Sequence, residues 1–471
     1  MAAGASKALQ ARAVKTAAQA RRIVRQRGLD YVKVGVFDAD GILRGKFMGA
    51  EKFFSALDHT GQDGGFGFCD VIVGWDSADQ LYDNTTYTGW HTGYPDAQVR
   101  ILPDSCRDQP FDFDGRGLCS LGEFAGAAEA VCPRGVLRRT VARAKDMGLA
   151  ATAALEYEFF LFDETPSSAA AKGYRDLQPI TPGNFGYSVL RTSTWADFHG
   201  ALLALCREMD FPLEGLHTET GPGVLEASID KDLAMAAADK AALFKPFAKV
   251  EAQRHGLMAT FMAKWSPDYP GQSGHIHLSL NNIKGRKSAF YDAKAEDGIS
   301  PAMRHFIGGQ QALMPELLAM IAPTVNAYTR LIPGFWAPTE ATWGLDNRTC
   351  ALRVIGGGAK SQRVEFRVAA ADANPYLALA AALGAGLWGI EHKIEPTAPV
   401  TGNAYDQPQP KHLALPQSLG EAARHLQGSK PARALFGDAF VEHFAASRDW
   451  EERQSRRAVT DWQLQRYFEI I

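Results

Sequence analysis

The sequence predicts an α+β protein, with a small β-rich N-terminal domain followed by a larger domain of antiparallel strands flanked by helices. Three observations carry this expectation. An early stretch alternates V-K-V-G-V-F-D, breaks at A-D-G (39–41) and resumes as I-L-R-G-K-F, the pattern of a hairpin. Three later apolar runs carry polar residues two apart, giving each strand one polar face: Glu156 with Glu158, His275 with His277, and Glu365 between Arg363 and Arg367. Around these lie segments with apolar residues at helical spacing, at 134–148, 195–209 and 373–390.

A chain of 471 residues is long enough for two or more domains. Its 50 basic and 53 acidic residues leave a net charge of -3, so no global field attracts nucleic acid or an anionic membrane. Its six cysteines show no C-x-x-C spacing, which argues against a zinc site or a disulfide framework and fits a reducing cytosol. No apolar run reaches spanning length, and the first residues do not read as a signal peptide. A cytoplasmic location is expected.

In chain order, residues 1–28 read as one amphipathic helix with a loose beginning. The β-rich domain starts at Asp30. Its segment G-F-G-F-C-D-V-I-V-G-W-D (65–76) would be costly to leave bare in water, so another subunit is expected to cover it. The G-x-G within it lacks the strand-to-helix context of a nucleotide fingerprint. A boundary is placed near residue 126. The helix at 134–148 leads into A-L-E-Y-E-F-F-L-F-D (154–163), where Leu155, Tyr157, Phe159 and Leu161 share one face and Glu156, Glu158 and Phe160 the other. Two buried anions side by side call for a hard divalent cation; the alternative is a Glu pair facing solvent. A Pro- and Gly-containing loop (165–186) and a helix (195–209) follow.

The next passage, 211–228, puts His217 and Glu219 on one face, turns at G-P-G and reaches Glu226, with Glu214 nearby. In G-Q-S-G-H-I-H-L-S-L (271–280), His275, His277 and Ser279 share a face, as metal ligands or as satisfied core residues. Arg330, Arg348, Arg353, Arg363 and Arg367 then stand among apolar and small residues, suited to anions or to structural pairing with Glu. An Ala-rich helix, a Pro-rich loop (395–410) and C-terminal helices complete the chain. Five carboxylates (Glu156, Glu158, Glu219, Glu226, Glu365) and a His suit two or more Mg2+ or Mn2+ ions, and the arginines suit phosphate. That combination points to phosphoryl transfer from a nucleotide.

Seven motifs occur in one order: L-E-Y-E-F-F-L-F, H-T-E-T-G-P-G-V-L-E, S-G-H-I-H-L-S-L, N-A-Y-T-R-L-I-P-G, D-N-R-T-C-A-L-R, K-S-Q-R-V-E-F-R and A-N-P-Y-L. With them the chain resembles the glutamine synthetase family (type I/III-like), including its γ-glutamylamide (glutamate–amine) ligases. The resemblance covers about 130–393 as the catalytic domain and 30–104 as a β-grasp domain, and with the residue patterning it divides the chain into an N-terminal helix (1–29), a β-grasp domain (30–125) and a catalytic domain (126–471) whose strands are expected to form part of an intersubunit barrel. It also implies a homododecamer of two stacked six-membered rings. By the family pattern Glu158, Glu219 and Glu226 hold one metal, and Glu156, His275 and Glu365 the other, with two or three ions per site. His277, Ser279, Arg353, Lys360, Arg363 and the Glu214 backbone contact ATP. Gly271, Arg330, Arg348 and Arg367 hold L-glutamate and the phosphate, and Arg348 and Arg367 are expected to be catalytic, together with Trp336 at a position where this chain departs from the pattern. Tyr187 matches the amine-side tyrosine.

Departures from the pattern bear on the acceptor. Ammonia-using members carry Glu in the P-G-aromatic-Glu-A-P loop, where this chain reads P-G-F-W-A-P and places Trp336. Their D-G-S-S latch has no clean equivalent, Asp70 and Asp76 being candidates, and Val224 replaces a Gln. A Trp accepts no proton but packs against alkyl or aryl groups. The expected activity is therefore ATP-dependent joining of L-glutamate to an organic primary amine (alkyl, hydroxyalkyl or aryl), the alternatives being an ammonia-using glutamine synthetase and a catalytically silent relative. Tyr405, in N-A-Y-D-Q-P, falls where some members carry a modifiable tyrosine.

Overall fold

The computed structural model describes residues 9–59, 66–284 and 287–471. The beginning of the expected N-terminal helix (1–8) and Gly65 of the early G-x-G lie outside them. Where the sequence suggests one helix over 1–28, a short 3-10 turn at Ala11–Ala13 precedes a helix at Ala17–Arg27. Thr16 and Gln19 cap its start reciprocally, and Gly28, at φ +59°, ends it.

A first sheet contains β1 (Tyr31–Phe37), β2 (Leu43–Gly49), β3 (Phe66–Cys69), β4 (Asp96–Ile101), β5 (Arg107–Gln109) and β6 (Gly117–Phe124). Its order is β2-β1-β6-β4-β3, with β5 beside β6. The expected hairpin is β1/β2, in register from Tyr31↔Gly49 to Phe37↔Leu43. Its turn is organised by Asp38, whose Oδ1 accepts from the amides of Asp40 (3.0 Å) and Ile42 (2.8 Å). Gly41, at φ +77°, lies so close to Asn374 that a Cβ would meet the Asn374 Cα at 3.2 Å. Asn374 in turn donates from Nδ2 to the carbonyls of Asp38 (3.0 Å) and Ala39 (3.1 Å) while capping the helix Pro375–His392. One asparagine thus locks the hairpin to the main core.

Within the segment at 66–76 this chain itself buries four of the apolar side chains. Phe66, Phe68, Ile72 and Val73 are buried in the core of the first sheet. Lys46 lies over the rings of Phe66 and Phe68, and Asp76 accepts from Trp450 Nε1 (3.0 Å). The partners come from β2 and from a C-terminal helix, far away in sequence.

A second, nine-stranded sheet contains β7 (Leu149–Phe162), β8 (Leu213–Thr218), β9 (Val224–Ile229), β10 (Asp232–Leu233), β11 (Met258–Thr260), β12 (Gly274–Asn282), β13 (Trp343–Leu345), β14 (Leu352–Ile355) and β15 (Arg363–Phe366). Its order is β13-β14-β15-β12-β7-β9-β8, with β10 and β11 also paired to β7. All pairs are antiparallel except β13/β14. β7 has the face division expected: Leu155, Tyr157, Phe159 and Leu161 are each at most 2 % exposed and belong to the main core. Burying side chains of this size contributes about 1.5–3 kcal/mol each, which holds the acidic face in place. The loop expected over 165–186 includes a short helix, Pro166–Ala171, which starts because the Thr165 hydroxyl accepts from the Ser168 amide (3.1 Å).

The helix Pro133–Asp146 and two 21-residue helices, Ala234–Arg254 and Pro301–Ile321, complete the packing with Pro375–His392. Among the described residues no helix is long and apolar enough to cross a membrane, and the six cysteines are free.

The helix Asp438–Ser455 packs on the connection between β3 and β4 through His443, whose ring meets Tyr82 and Tyr87 edge-on at 6.4 and 5.8 Å. Burial pushes this imidazole from 6.5 down to about 4. The unfolded chain therefore takes up a proton before the folded one does, and stability falls as pH drops from about 6.5 towards 4. Thermal melts between pH 7 and 4.5 should show this loss, and His443→Phe should remove on the order of 3 kcal/mol of it. An unchanged acid slope in that variant would contradict the assignment.

Candidate functional site

The site is built from rows of residues that cross the second sheet on one face. In one row His217 (β8) faces Glu226 (β9), which faces Glu158 (β7). In the next, Ser228 (β9) faces Glu156 (β7), which faces His275 (β12). A third runs from His277 (β12) to Glu365 (β15) to Arg353 (β14). Directly opposed side chains on one face lie within reach of each other, so the registers alone gather acids, imidazoles and a guanidinium.

The contacts follow from the rows. His275 Nδ1 lies 3.1 Å from Glu156 Oε1 and 3.5 Å from Glu365 Oε1, and His277 Nε2 lies 3.3 Å from Glu156 Oε1. Glu365 is held by Arg353 Nη1 (2.8 Å) and Arg367 Nη1 (2.5 Å). Arg363, which the sequence places beside Glu365, donates instead to His277 Nδ1 (3.2 Å), because the register brings Arg353 opposite Glu365. Glu158 Oε2 accepts from the Ser273 amide (2.7 Å). Two sets offer ligand atoms within 4.8 Å of one another: Glu156, His277 and Glu365, and His217, Glu219 and Glu226. The first shares Glu156 and Glu365 with the set implied by the family pattern, and the second shares Glu219 and Glu226.

Charge is unevenly shared. Burial alone would raise Glu156, but His275 and His277 beside it hold its carboxyl well below the usual range. Glu365 is likewise held low against its burial by His275 and Arg367. Glu226 goes the other way: burial, then Glu156, Glu158, Glu219 and Glu365, push it up to about 9. The ring nitrogens His217 Nε2 and His275 Nε2 are buried without a hydrogen-bond partner among the described residues. A crowd of carboxylates that traps a proton, with imidazoles beside it, is the donor chemistry a divalent cation satisfies, so the residues fit Mg2+ or Mn2+.

A cavity of about 740 Å³ opens over these rows. It is lined by Glu156, Glu158, Glu219, Glu226, His275 and Glu365, by Glu214, His277, Ser279, Arg353, Lys360 and Arg363, by Gly271, Arg330, Arg348 and Arg367, and by Tyr187 and Trp336. The structure therefore lines one cavity with all of the residues expected to hold metal, nucleotide, glutamate and amine. Arg330 is fully buried, donating to the carbonyls of Val368 (2.8 Å) and Arg367 (3.2 Å), and burial lowers it to about 10. Its stem passes Gly271 so closely that a Cβ there would lie 2.6 Å from Arg330 Cγ. Lys360 follows the run Gly356-Gly357-Gly358, in which Gly357 holds φ +129°.

Tyr187 and Trp336 hold φ of +54° and +59°, a left-handed backbone that bulky residues rarely adopt. Tyr187 is pinned by its amide to Thr218 O (2.7 Å), and its ring stacks on His217 at 4.4 Å. Trp336 is 58 % exposed, beside Phe335, over whose ring Lys264 Nζ sits at 4.5 Å. Cavity residues that sequence reasoning did not single out include Thr152, Lys231, Phe335 and Gln362. Thr152 alternates in phase with Glu156 along β7, a signal that was available.

Asp70 and Asp76, the latch candidates, do not line the cavity of their own chain. Asp76 Oδ1 accepts from the amides of Ala78 and Gln80 (both 2.9 Å). Asp70 is buried with Oδ1 unpartnered among the described residues, and burial raises its carboxyl. Val224 packs with Phe160 and Phe162, and the Tyr405 hydroxyl is buried.

Residues 130–467 match the family model of the glutamine synthetase catalytic domain. The chain belongs to the glutamine synthetase family. It is 43% identical over 445 residues to type-1 glutamine synthetase 2 of Dictyostelium discoideum, covering 94% of this chain and 84% of that protein. It is 36% identical over 456 residues to the glutamate–isopropylamine ligase of a Pseudomonas species, covering 96% and 97%. The solved structure of apo GmaS without ligand superposes with a TM-score of 0.81 at 25% identity, covering 95% of this chain and 99% of that one.

Because Glu226 is raised from 4.5 to about 9, its contribution is full below about pH 4.5 and is lost as pH rises towards 9. In chelator, the melting temperature should therefore decline between pH 6 and 9. Glu226→Gln should flatten that decline and raise the ion-free melting temperature at pH 8 by a few degrees. A parallel decline in the variant would show that Glu226 is ionised in the ion-free protein.

Proposed function

We propose that this protein is an ATP-dependent ligase that joins L-glutamate to an organic primary amine through γ-glutamyl phosphate, yielding a γ-glutamylamide. The observation that carries the reading is Trp336 on the cavity wall, where a Glu would serve ammonium. The similarity to a glutamate–isopropylamine ligase over 96% of this chain supports it.

In this reading Glu158, Glu219 and Glu226 hold one divalent ion and Glu156, His275 and Glu365 another. Bound Mg2+ or Mn2+ would neutralise phosphoryl charge and polarise the transferring group. Ser279, His277, Arg353, Lys360, Arg363 and the Glu214 backbone take ATP. Gly271 and Arg330 position glutamate, while Arg348 and Arg367 stabilise the charge that builds as the γ-carboxylate attacks the terminal phosphate. Tyr187 and Trp336 form the entry for the amine, which must arrive uncharged to open the acyl phosphate; their rings favour an apolar body on that amine and screen the anhydride from water. In the same reading residues 30–125 are a β-grasp domain, residues 126–471 are the catalytic domain, and the protein assembles as a cytoplasmic dodecamer.

A second reading, a glutamine synthetase that uses ammonia, is favoured by the 43% identity to the Dictyostelium protein. The two separate on one substitution. Trp336→Glu should shift the ratio of kcat/KM for ammonia over isopropylamine by about tenfold or more towards ammonia, a change of about 1.4 kcal/mol in relative transition-state binding. An unchanged ratio would remove Trp336 as the acceptor determinant.

A further inference from the structure

His217 has no role in the reading above, yet the sheet sets it in the same row as the acids. It is the register partner of Glu226, itself the partner of Glu158. Its Nε2 is buried, lacks a hydrogen-bond partner among the described residues and lies 3.9 Å from Glu226 Oε2. That separation is too long for a hydrogen bond. It suits two donors on one ion, since ligands about 2.1 Å from a shared cation stand about 3 Å apart when adjacent and about 4 Å apart when opposite. His217, Glu219 and Glu226 each offer an atom within 4.8 Å of the others.

The orientation of the ring is fixed from outside. Tyr187 stacks on it with an interplanar angle of 10° and a centroid distance of 4.4 Å. The segment around Tyr187 is tied to Thr218, the residue after His217: Tyr187 N donates to Thr218 O (2.7 Å), Ser188 N to Thr218 Oγ1 (2.8 Å), and Thr218 Oγ1 to Phe185 O (3.3 Å). An imidazole held flat by a neighbour, with a free nitrogen turned towards a carboxylate pair, has the organisation of an oriented ligand.

We propose that His217 is a nitrogen ligand of the divalent ion held by Glu219 and Glu226, which makes this position a mixed carboxylate–imidazole site that favours transition ions over Mg2+. The proposal rests on the metal-dependent reading of the cavity. Mg2+ is a hard cation that takes oxygen, whereas imidazole nitrogen binds first-row transition ions with affinity rising from Mn2+ to Co2+. The ring beneath the amine-side tyrosine is then also part of the ion site, so that amine entry and ion binding share one wall.

The test is binding of Co2+, Mn2+ and Mg2+ to the full-length protein by calorimetry, for wild type, His217→Ala and His217→Phe. Both variants should lose about tenfold or more in Co2+ affinity at one site, while Mg2+ affinity changes by less than twofold. Pulsed EPR of the Mn2+-loaded protein labelled with 15N-histidine should lose one nitrogen coupling in both. The Phe variant keeps a flat ring for Tyr187 to stack on. Retained Co2+ affinity in His217→Phe but not in His217→Ala would make His217 a packing residue and overturn the proposal. Wild-type binding unchanged in both variants would overturn it while leaving the metal-dependent reading intact, and no ion binding to wild type would overturn both.

Discussion

The repulsion among five carboxylates, four on one sheet face and Glu219 just past the end of β8, is the constraint around which the molecule is arranged. Two like unit charges 4 Å apart near a protein surface cost about 4 kcal/mol, so several such pairs exceed what a domain usually has in reserve. The ion-free protein relieves this in two ways. Polar partners flank some acids, the guanidinium groups of Arg353 and Arg367 at Glu365 and the imidazoles of His275 and His277 at Glu156. One acid, Glu226, keeps its proton far above the usual range. The opposite face of β7 supplies the rigidity, because Leu155, Tyr157, Phe159 and Leu161 are sealed into the main core. Strand alternation is what allows one segment to be core on one side and charged on the other.

The acceptor side follows a different logic. Its residues sit on loops, and two of them, Tyr187 and Trp336, are bulky side chains on left-handed backbone. Strain of this kind costs on the order of 1–3 kcal/mol per residue and is kept where the surroundings over-determine it. For Tyr187 the surroundings are the bonds to Thr218 and the stacked His217, which join the loop to the acidic rows. A single wall thus runs from Tyr187 to the carboxylates, so that under the proposed function the amine would be met next to the charges that activate glutamate.

Much of this was legible in the sequence because it depends on period-two spacing. The face division of β7 and the hairpin at β1/β2 follow from residues two apart on strands, while the grouping of Glu156, His275 and Glu365 was legible only through the family resemblance. Features that depend on register or on distant partners were not legible. Nothing local says that His217 stands opposite Glu226, since that pairing is set across the G-P-G turn and after a shift between Leu213 and Gly215. The cover over 66–76 comes from Lys46 and the Trp450 helix. The helices Ala234–Arg254 and Pro301–Ile321 are buried on most sides and contain Pro246 and Pro315, so neither shows the amphipathic stripe or the unbroken pattern by which helices are recognised.

The most direct measurement is ATP-dependent phosphate release by the wild-type protein with L-glutamate and Mg2+, comparing ammonia with methylamine, ethylamine, isopropylamine, ethanolamine, putrescine and aniline at matched free-base concentrations. The account predicts that one organic amine outperforms ammonia and that its γ-glutamylamide appears by mass spectrometry. Ammonia as the preferred acceptor, with glutamine as the product, would contradict it.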